Sequence, residues 1–344
     1  NKVLRDKCKN SIKMISVSEL TGKKIVVDIS IYLYKYVAEN ALIENMYSML
    51  SIFNYYKIIP LFIFDGKPPS EKRDLLIKRI KEKKDAEKEY HCLKENLTNN
   101  DLCVEDKQEI ISTMDILKKK FVYLKKEQIC KVKELICSYG ACYLDAPGEA
   151  DELCAMLVIE NKCWACLSED TDMFVYGCPR VLKYLSLLNH SVVLYDMKSI
   201  LNELEINQNV FREICILSGS DYDLQINKNN LKIDNLLDGL GLFRLYKTFI
   251  DSDTTPNLEI NIDVDSKIKY DFFRWLKSYN YNEKFMDYNL DFDYETFKNI
   301  YSIFDLSKNK SILCDFQNIS IVNGIKSTEK IREILKEDGF IFIE

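Results

Sequence analysis

The chain has 344 residues, 47% of them hydrophobic, which is enough for one large α/β domain with appendages or two modest domains and excludes disorder as the default. A formal net charge of −6 excludes a protein that coats nucleic acid through overall positive charge, so any affinity for DNA must come from a local patch. Twelve cysteines without a recognisable secretory leader are expected to be reduced intracellular thiols, and no apolar run approaches the length of a membrane span.

In chain order, short β-rich runs ending in acids recur at residues 24–28 (KIVVD), 60–65 (PLFIFD), 141–145 (ACYLD) and 164–170 (WACLSED), each followed by a helical pattern. That alternation predicts a mostly parallel sheet with crossover helices. Ligands of such sheets gather outside the carboxyl ends of the strands, where these acids fall. Between residues 70 and 139 the pattern is helical and highly charged, broken near 96–101, which predicts a long antiparallel helical insertion. Residues 67–133 carry 18 Lys/Arg against 13 Asp/Glu, a local +5 that leaves −11 for the rest of the chain. This asymmetry suits a basic clamp beside an acidic, metal-collecting site, although without the other motifs a solvated charged hairpin is the better reading. Cys163 and Cys166 form a single CxxC, and with only His91 and His190 in the chain they are read as packed cysteines near a strand start rather than zinc ligands. Further strands are predicted at 181–185 and 191–195. After Asp221 the chain becomes Asn- and Asp-rich through a polar insertion at 223–234, then offers a glycine hairpin at Gly239 to Gly241 and helices to the end, read as a helical subdomain.

Seven carboxylates stand at strand ends or first helical turns: Asp28, Asp65, Glu149, Asp151, Asp170, Asp172 and Asp221. Two pairs, in APGEAD and SEDTD, are spaced two apart, so one loop or helix N-terminus directs both members toward a shared point. All-oxygen ligands suit magnesium or manganese, and two such ions about 4 Å apart serve phosphodiester hydrolysis. Any single pair taken alone is better explained as a helix cap or dipole partner. Their joint recurrence at several strand ends is what favours a metal site.

The segments KKIVVDISIYLYKY, PLFIFDGKPPSEKRDLLIKR, YLDAPGEADELCAML, LSEDTDMFVYG and ILSGSDY resemble the flap endonuclease and XPG family of 5′ nucleases across nearly the whole chain. The resemblance implies a PIN-like α/β fold: a mostly parallel sheet flanked by helices, a helical arch at about 70–139, a nuclease core over 1–221, and a helical C-terminal region over 222–344 with a helix-two-turn-helix near 239–249. It implies a magnesium-dependent flap endonuclease with two Mg2+ ions, Mn2+ substituting, held by the seven acids above. Lys72 and Arg79 would contact the scissile phosphate, seven residues apart on one helix face. Lys81, Lys83 and Lys84 would merely solvate the helix. Tyr34 would stack on the base beside the cut, and Lys67, Gly239, Gly241 and Arg244 would bind DNA, the glycine hairpin with K+.

This chain also departs from the family pattern. Asp151 replaces the commoner Glu, Phe243 stands where a basic residue is usual, the 223–238 link is long and the 37–47 segment is short. The chain opens at Asn1 rather than at Met-Gly-Ile, and residues 340–344 carry no sliding-clamp peptide. The expected partner is branched or flapped DNA, bound by a monomer in the nucleus or at a cytoplasmic viral replication site. The alternatives are a 5′-3′ exonuclease of the same superfamily and a non-catalytic branched-DNA scaffold. The scaffold has no chemical need for so many mutually repelling carboxylates.

Overall fold

The computed structural model describes residues 2–97, 104–219, 236–251, 272, 275–276, 294–307 and 320–342. Among them a single seven-stranded sheet comprises β1 (Ile12–Ser16), β2 (Lys24–Asp28), β3 (Ile59–Phe64), β4 (Cys142–Asp145), β5 (Ala165–Leu167), β6 (Arg180–Ser186) and β7 (Ser191–Asp196), in the order β1-β7-β6-β5-β2-β3-β4. Strands β2, β3, β4, β5 and β6 pair in parallel, and β6 with β7 forms an antiparallel hairpin. The sheet is therefore mostly parallel, as the alternating pattern predicts. Strand β1 had no clear signal because it is a largely exposed edge, with Met14 75% accessible.

The helices are α1 (Lys2–Lys7), α2 (Ser30–Ala38), α3 (Leu42–Tyr55), α4 (Arg73–Asn96), α5 (Val104–Lys120), α6 (Lys126–Ser138), α7 (Ala150–Ile159), α8 (Asp172–Tyr176), α9 (Met197–Leu204), α10 (Gln208–Leu217), α11 (Leu236–Asp251), α12 (Tyr294–Phe304) and α13 (Thr328–Glu337). None of the described helices is long and apolar enough to cross a membrane. The short 37–47 segment is accommodated because only residues 39–41 separate α2 from α3, with Asn40 in the left-handed region at φ 53°.

The chain divides into two units. The sheet unit comprises Lys13–Met173, Cys178–Asp196 and Ser311–Glu344; the other comprises Asn1–Ile12, Phe174–Gly177 and Met197–Lys310. The C-terminal helix α13 joins the sheet unit because Ile331, Ile334 and Leu335 are buried in the same core as Val132, Leu135 and Ile136 of α6. Lys131 of α6 also lies 3.6 Å from both Glu337 and Asp338. Helix α6 is thus a sheet-flanking helix, and the protruding insertion reduces to α4 and α5.

In the second unit, the hairpin expected at Gly239 to Gly241 is not a turn: both glycines lie inside α11. Gly239 is instead a packing residue, since a Cβ there would meet Ile214 Cγ2 of α10 at 2.5 Å, whereas one at Gly241 would meet nothing within 4 Å. Phe243, in the position expected to be basic, is buried with Tyr246, Phe272 and Trp275 in an aromatic cluster. Asp221 and the 223–234 insertion lie outside the described residues.

Candidate active site

Parallel pairing sets Asp28 opposite Ile63 and Val27 opposite Leu167, so Asp28, Asp65 and Asp170 leave the same edge of the sheet within a few residues of each other in register. The loop after β3 and the loop before α7 then approach closely. Gly66 N–H donates to Gly148 O at 2.8 Å, and a Cβ at Gly66 would sit 1.9 Å from Ala146 O, so only glycine allows the approach. Asp65 Oδ1 accepts the Ala150 N–H at 2.8 Å, tying the end of β3 to the first turn of α7, where the helix dipole favours an anion.

Ser168 joins the acids of β2 and β5. Its Oγ donates to Asp28 Oδ2 at 2.9 Å and accepts the Asp170 N–H at 3.0 Å, while Asp170 Oδ1 accepts the Asp172 N–H at 2.8 Å. The SEDTD spacing therefore does what the sequence suggests and folds two carboxylates into one tight loop. Asp28 and Asp151 are almost wholly buried. Burial, and then the neighbouring Asp65 and Asp170 charges, push Asp28 up to about 7 against the lowering hydrogen bond from Ser168. Asp151 is raised well above the ordinary carboxylate range by burial, then by Glu149 and Asp170, with Lys72 opposing. A carboxylate cluster held this way is under electrostatic stress that a cation relieves.

Lys72 partly supplies that cation. Its Nζ donates to both oxygens of Glu149, at 3.0 and 2.8 Å, and the lysine is buried. Lys72 closes the 3-10 turn Ser70–Lys72 that precedes α4, whereas Arg79 is exposed within α4. This corrects the expectation that the two share one face of one helix: Lys72 is the N-cap residue of α4 and Arg79 lies within it. Lys83 also departs from the solvated-face expectation: its Nζ lies 4.9 Å from the centre of the Tyr34 ring and donates to Val122 O at 3.2 Å. Tyr34 is 44% exposed, while Tyr32 and Tyr36 are core residues.

The sheet unit thus brings together Asp28, Asp65, Lys72, Glu149, Asp151, Asp170 and Asp172. Lys67 and Arg79 are exposed at its rim, and Gly239, Gly241 and Arg244 belong to the other unit. Sequence reasoning missed Ser168, although it lies inside the SEDTD segment, and missed Lys183, whose place in β6 carries no local signal. The donor set fits Mg2+ or Mn2+: all-oxygen, with two acids raised first by burial and then by neighbouring carboxylates, and a lysine ammonium already lying across Glu149. Among the described residues no three acidic, histidine or cysteine side chains are already drawn together at ligand distance.

Residues 1–86 match the XPG N-terminal domain and residues 140–221 the XPG I-region. The flap endonuclease 1 of Cryptosporidium parvum is 28% identical over 255 residues, covering 64% of this chain and 49% of the relative. That of Zea mays is 31% identical over 240 residues, covering 64% and 60%. The chain therefore spans about half to three-fifths of the length of the curated relatives it matches. In fold it resembles the catalytic core of Rad2 solved in complex with DNA substrate, with a TM-score of 0.63 at 21% identity over 97% of this chain and 92% of that one. The chain thus carries, in order, matches to the N-terminal domain and the I-region of the XPG family and is similar to flap endonuclease 1 over 64% of its length.

Proposed function

We propose that the chain is a metal-dependent flap endonuclease that hydrolyses one phosphodiester near the junction where a 5′ single strand leaves a duplex. The observation that carries this reading is the pair of buried acids Asp28 and Asp151, with the half-buried Asp170, beside the Lys72–Glu149 pair at the foot of α4. Asp28, Asp65, Glu149, Asp151, Asp170 and Asp172, with Asp221, would hold two Mg2+ ions. Such ions supply polarisation of the phosphodiester and activation of water.

The chain's own groups do the rest. Ser168 holds Asp28 and Asp170 in fixed relation, so two ligating carboxylates stay aligned without reorganisation. Lys72 and Arg79 offer cationic donors to the non-bridging phosphate oxygens as charge develops there. Lys72 can turn from Glu149 to the phosphate once that carboxylate has another cation. Tyr34 offers a ring face for the base beside the cut, and the lysines and arginines of α4 offer cations to the single strand. Cleavage would leave a 3′ hydroxyl and a 5′ phosphate.

The test uses labelled 5′ flap, nicked duplex and single-stranded substrates with magnesium and then with EDTA. Magnesium-dependent product, greatest on the flap, is expected. Greater activity on the nick would move the reading to a 5′-3′ exonuclease, and no metal-dependent product on any substrate would overturn it.

A further inference from the structure

Lys183 lies in the third-from-edge strand of the sheet, β6, and is completely buried. A buried ammonium is costly unless its donors are satisfied. Here Nζ donates to two consecutive carbonyls, Glu169 O at 2.6 Å and Asp170 O at 3.1 Å. One cation held by two successive carbonyls fixes the orientation of the backbone between them, and this is the backbone from which the Asp170 carboxylate projects.

The strand is shaped for that contact. Pairing of β6 with β7 matches Lys183 to Val193 and Ser186 to Ser191, so β6 holds one residue more than its partner between these pairs. Such a bulge re-aims side chains relative to a regular strand. It coincides with Tyr184 at φ 59°, a conformation that side-chain-bearing residues seldom adopt. The turn directs the Tyr184 N–H onto Glu169 Oε1 at 2.6 Å, and the same oxygen accepts the Tyr32 hydroxyl at 3.3 Å. Glu169 is therefore held at its backbone by Lys183 and at its carboxylate by Tyr184 and Tyr32. From within, the loop is closed by Ser168 on the Asp170 N–H and by Asp170 on the Asp172 N–H.

We infer that Lys183 and Glu169 are positioning residues: the β6 bulge uses them to clamp the loop 168–172 so that Asp170 and Asp172 are presented to divalent metal in a fixed geometry. The inference rests on the metal-dependent reading above. The side-chain role of Glu169, which stands between two ligating acids without being assigned as a ligand, is then to anchor the loop rather than to bind metal.

The test is Mn2+ binding to the whole chain, followed by the paramagnetic resonance signal of free Mn2+, for the wild type and for Lys183→Met, Lys183→Arg and Glu169→Gln. Melting temperature and metal-free affinity for a 5′ flap are measured alongside. Residues that orient metal ligands cost about 10–100-fold in metal affinity when lost, so Lys183→Met is expected to weaken Mn2+ binding by about tenfold or more. Lys183→Arg should recover most of the loss, Glu169→Gln should weaken binding by a smaller factor, and flap affinity without metal should not move. A folded Lys183→Met whose Mn2+ isotherm superposes on the wild type overturns the inference while leaving the nuclease reading intact. If Lys183→Met does not fold, Glu169→Gln decides, and an unchanged isotherm there has the same consequence. A wild type that binds no Mn2+ removes the metal-dependent reading first and this inference with it.

Discussion

The acidic floor and the charged helices α4 and α5 are built in different ways. In α7, which carries Asp151, eight of ten residues are buried, and the acids around it are cross-linked between strands by Ser168, by the Asp65 carboxylate and by close loop contacts. In α4, of 24 residues, only Ala86 is buried among those described. That helix rests on residue propensity, on pairs such as Lys78–Glu82 at 3.9 Å, and on a few cross-contacts to α5 and the segment after it. Those contacts include the rings of Tyr90 and Phe121 at 5.3 Å and the Tyr123 hydroxyl on Glu87 at 2.9 Å. The difference teaches where preorganisation resides: the acids are fixed by burial and cross-links, whereas α4 has a single buried residue among those described and rests on exposed contacts.

The sharpest break comes from the floor. Asp170→Ala or Asp172→Ala is expected to lower single-turnover cleavage by about a thousandfold or more while leaving flap affinity nearly unchanged, since a metal ligand is lost and the basic surface is not. Loss of binding in step with cutting would show that floor and charged helices are not separable. Next, Arg79→Ala should lower the single-turnover rate by more than about tenfold with modest change in affinity, because the contact is strongest in the transition state. An unchanged rate would return Arg79 to an ordinary solvated helix position.

Proton linkage sharpens the comparison from the stability side. Asp28 rises from 3.8 to about 7 on folding, chiefly by burial and then by the charges of Asp65 and Asp170. A carboxyl raised by folding binds protons in the folded state, so stability falls as pH climbs through the window between those two values and levels off above it. Thermal unfolding of the metal-free protein should therefore come several degrees lower at pH 8 than at pH 5, with Mg2+ restoring more at pH 8. Asp28→Asn should reduce the dependence, leaving the part that the raised Asp151 contributes.

The smallest effect belongs to Lys83. A cation over an exposed ring contributes about 0.5–1 kcal/mol, so Lys83→Met should change cleavage only two- to fivefold by rough conversion. It should, however, speed chymotryptic cutting at Tyr90, Phe121 or Tyr123 by loosening the base of α4. Unaltered proteolysis would mean that the ring–ammonium contact does not hold α4.

What the sequence by itself determined is local. Runs such as KIVVD and PLFIFD announce strands because β-branched and aromatic residues suit a buried sheet, and an acid at the close of each run reaches the ligand edge by the rule of parallel topology. SEDTD announces its loop because a two-residue spacing lets one carboxylate receive the backbone N–H of the next. Only the tertiary structure decided the rest. Lys72 reads like any other lysine of a charged helix until Glu149 arrives 77 residues later, and Lys183 looks like an outward strand residue until a bulge turns it onto two carbonyls. Gly239 has the chemistry of a turn, yet the need for α11 to approach Ile214 of α10 uses its missing Cβ for packing instead. Likewise α13 is amphipathic in sequence without saying against what, and it is the apolar face of α6 that returns it to the sheet unit. In each case a short-range pattern admits several partners, and the choice among them is made by burial between segments distant in the chain, which no local spacing encodes.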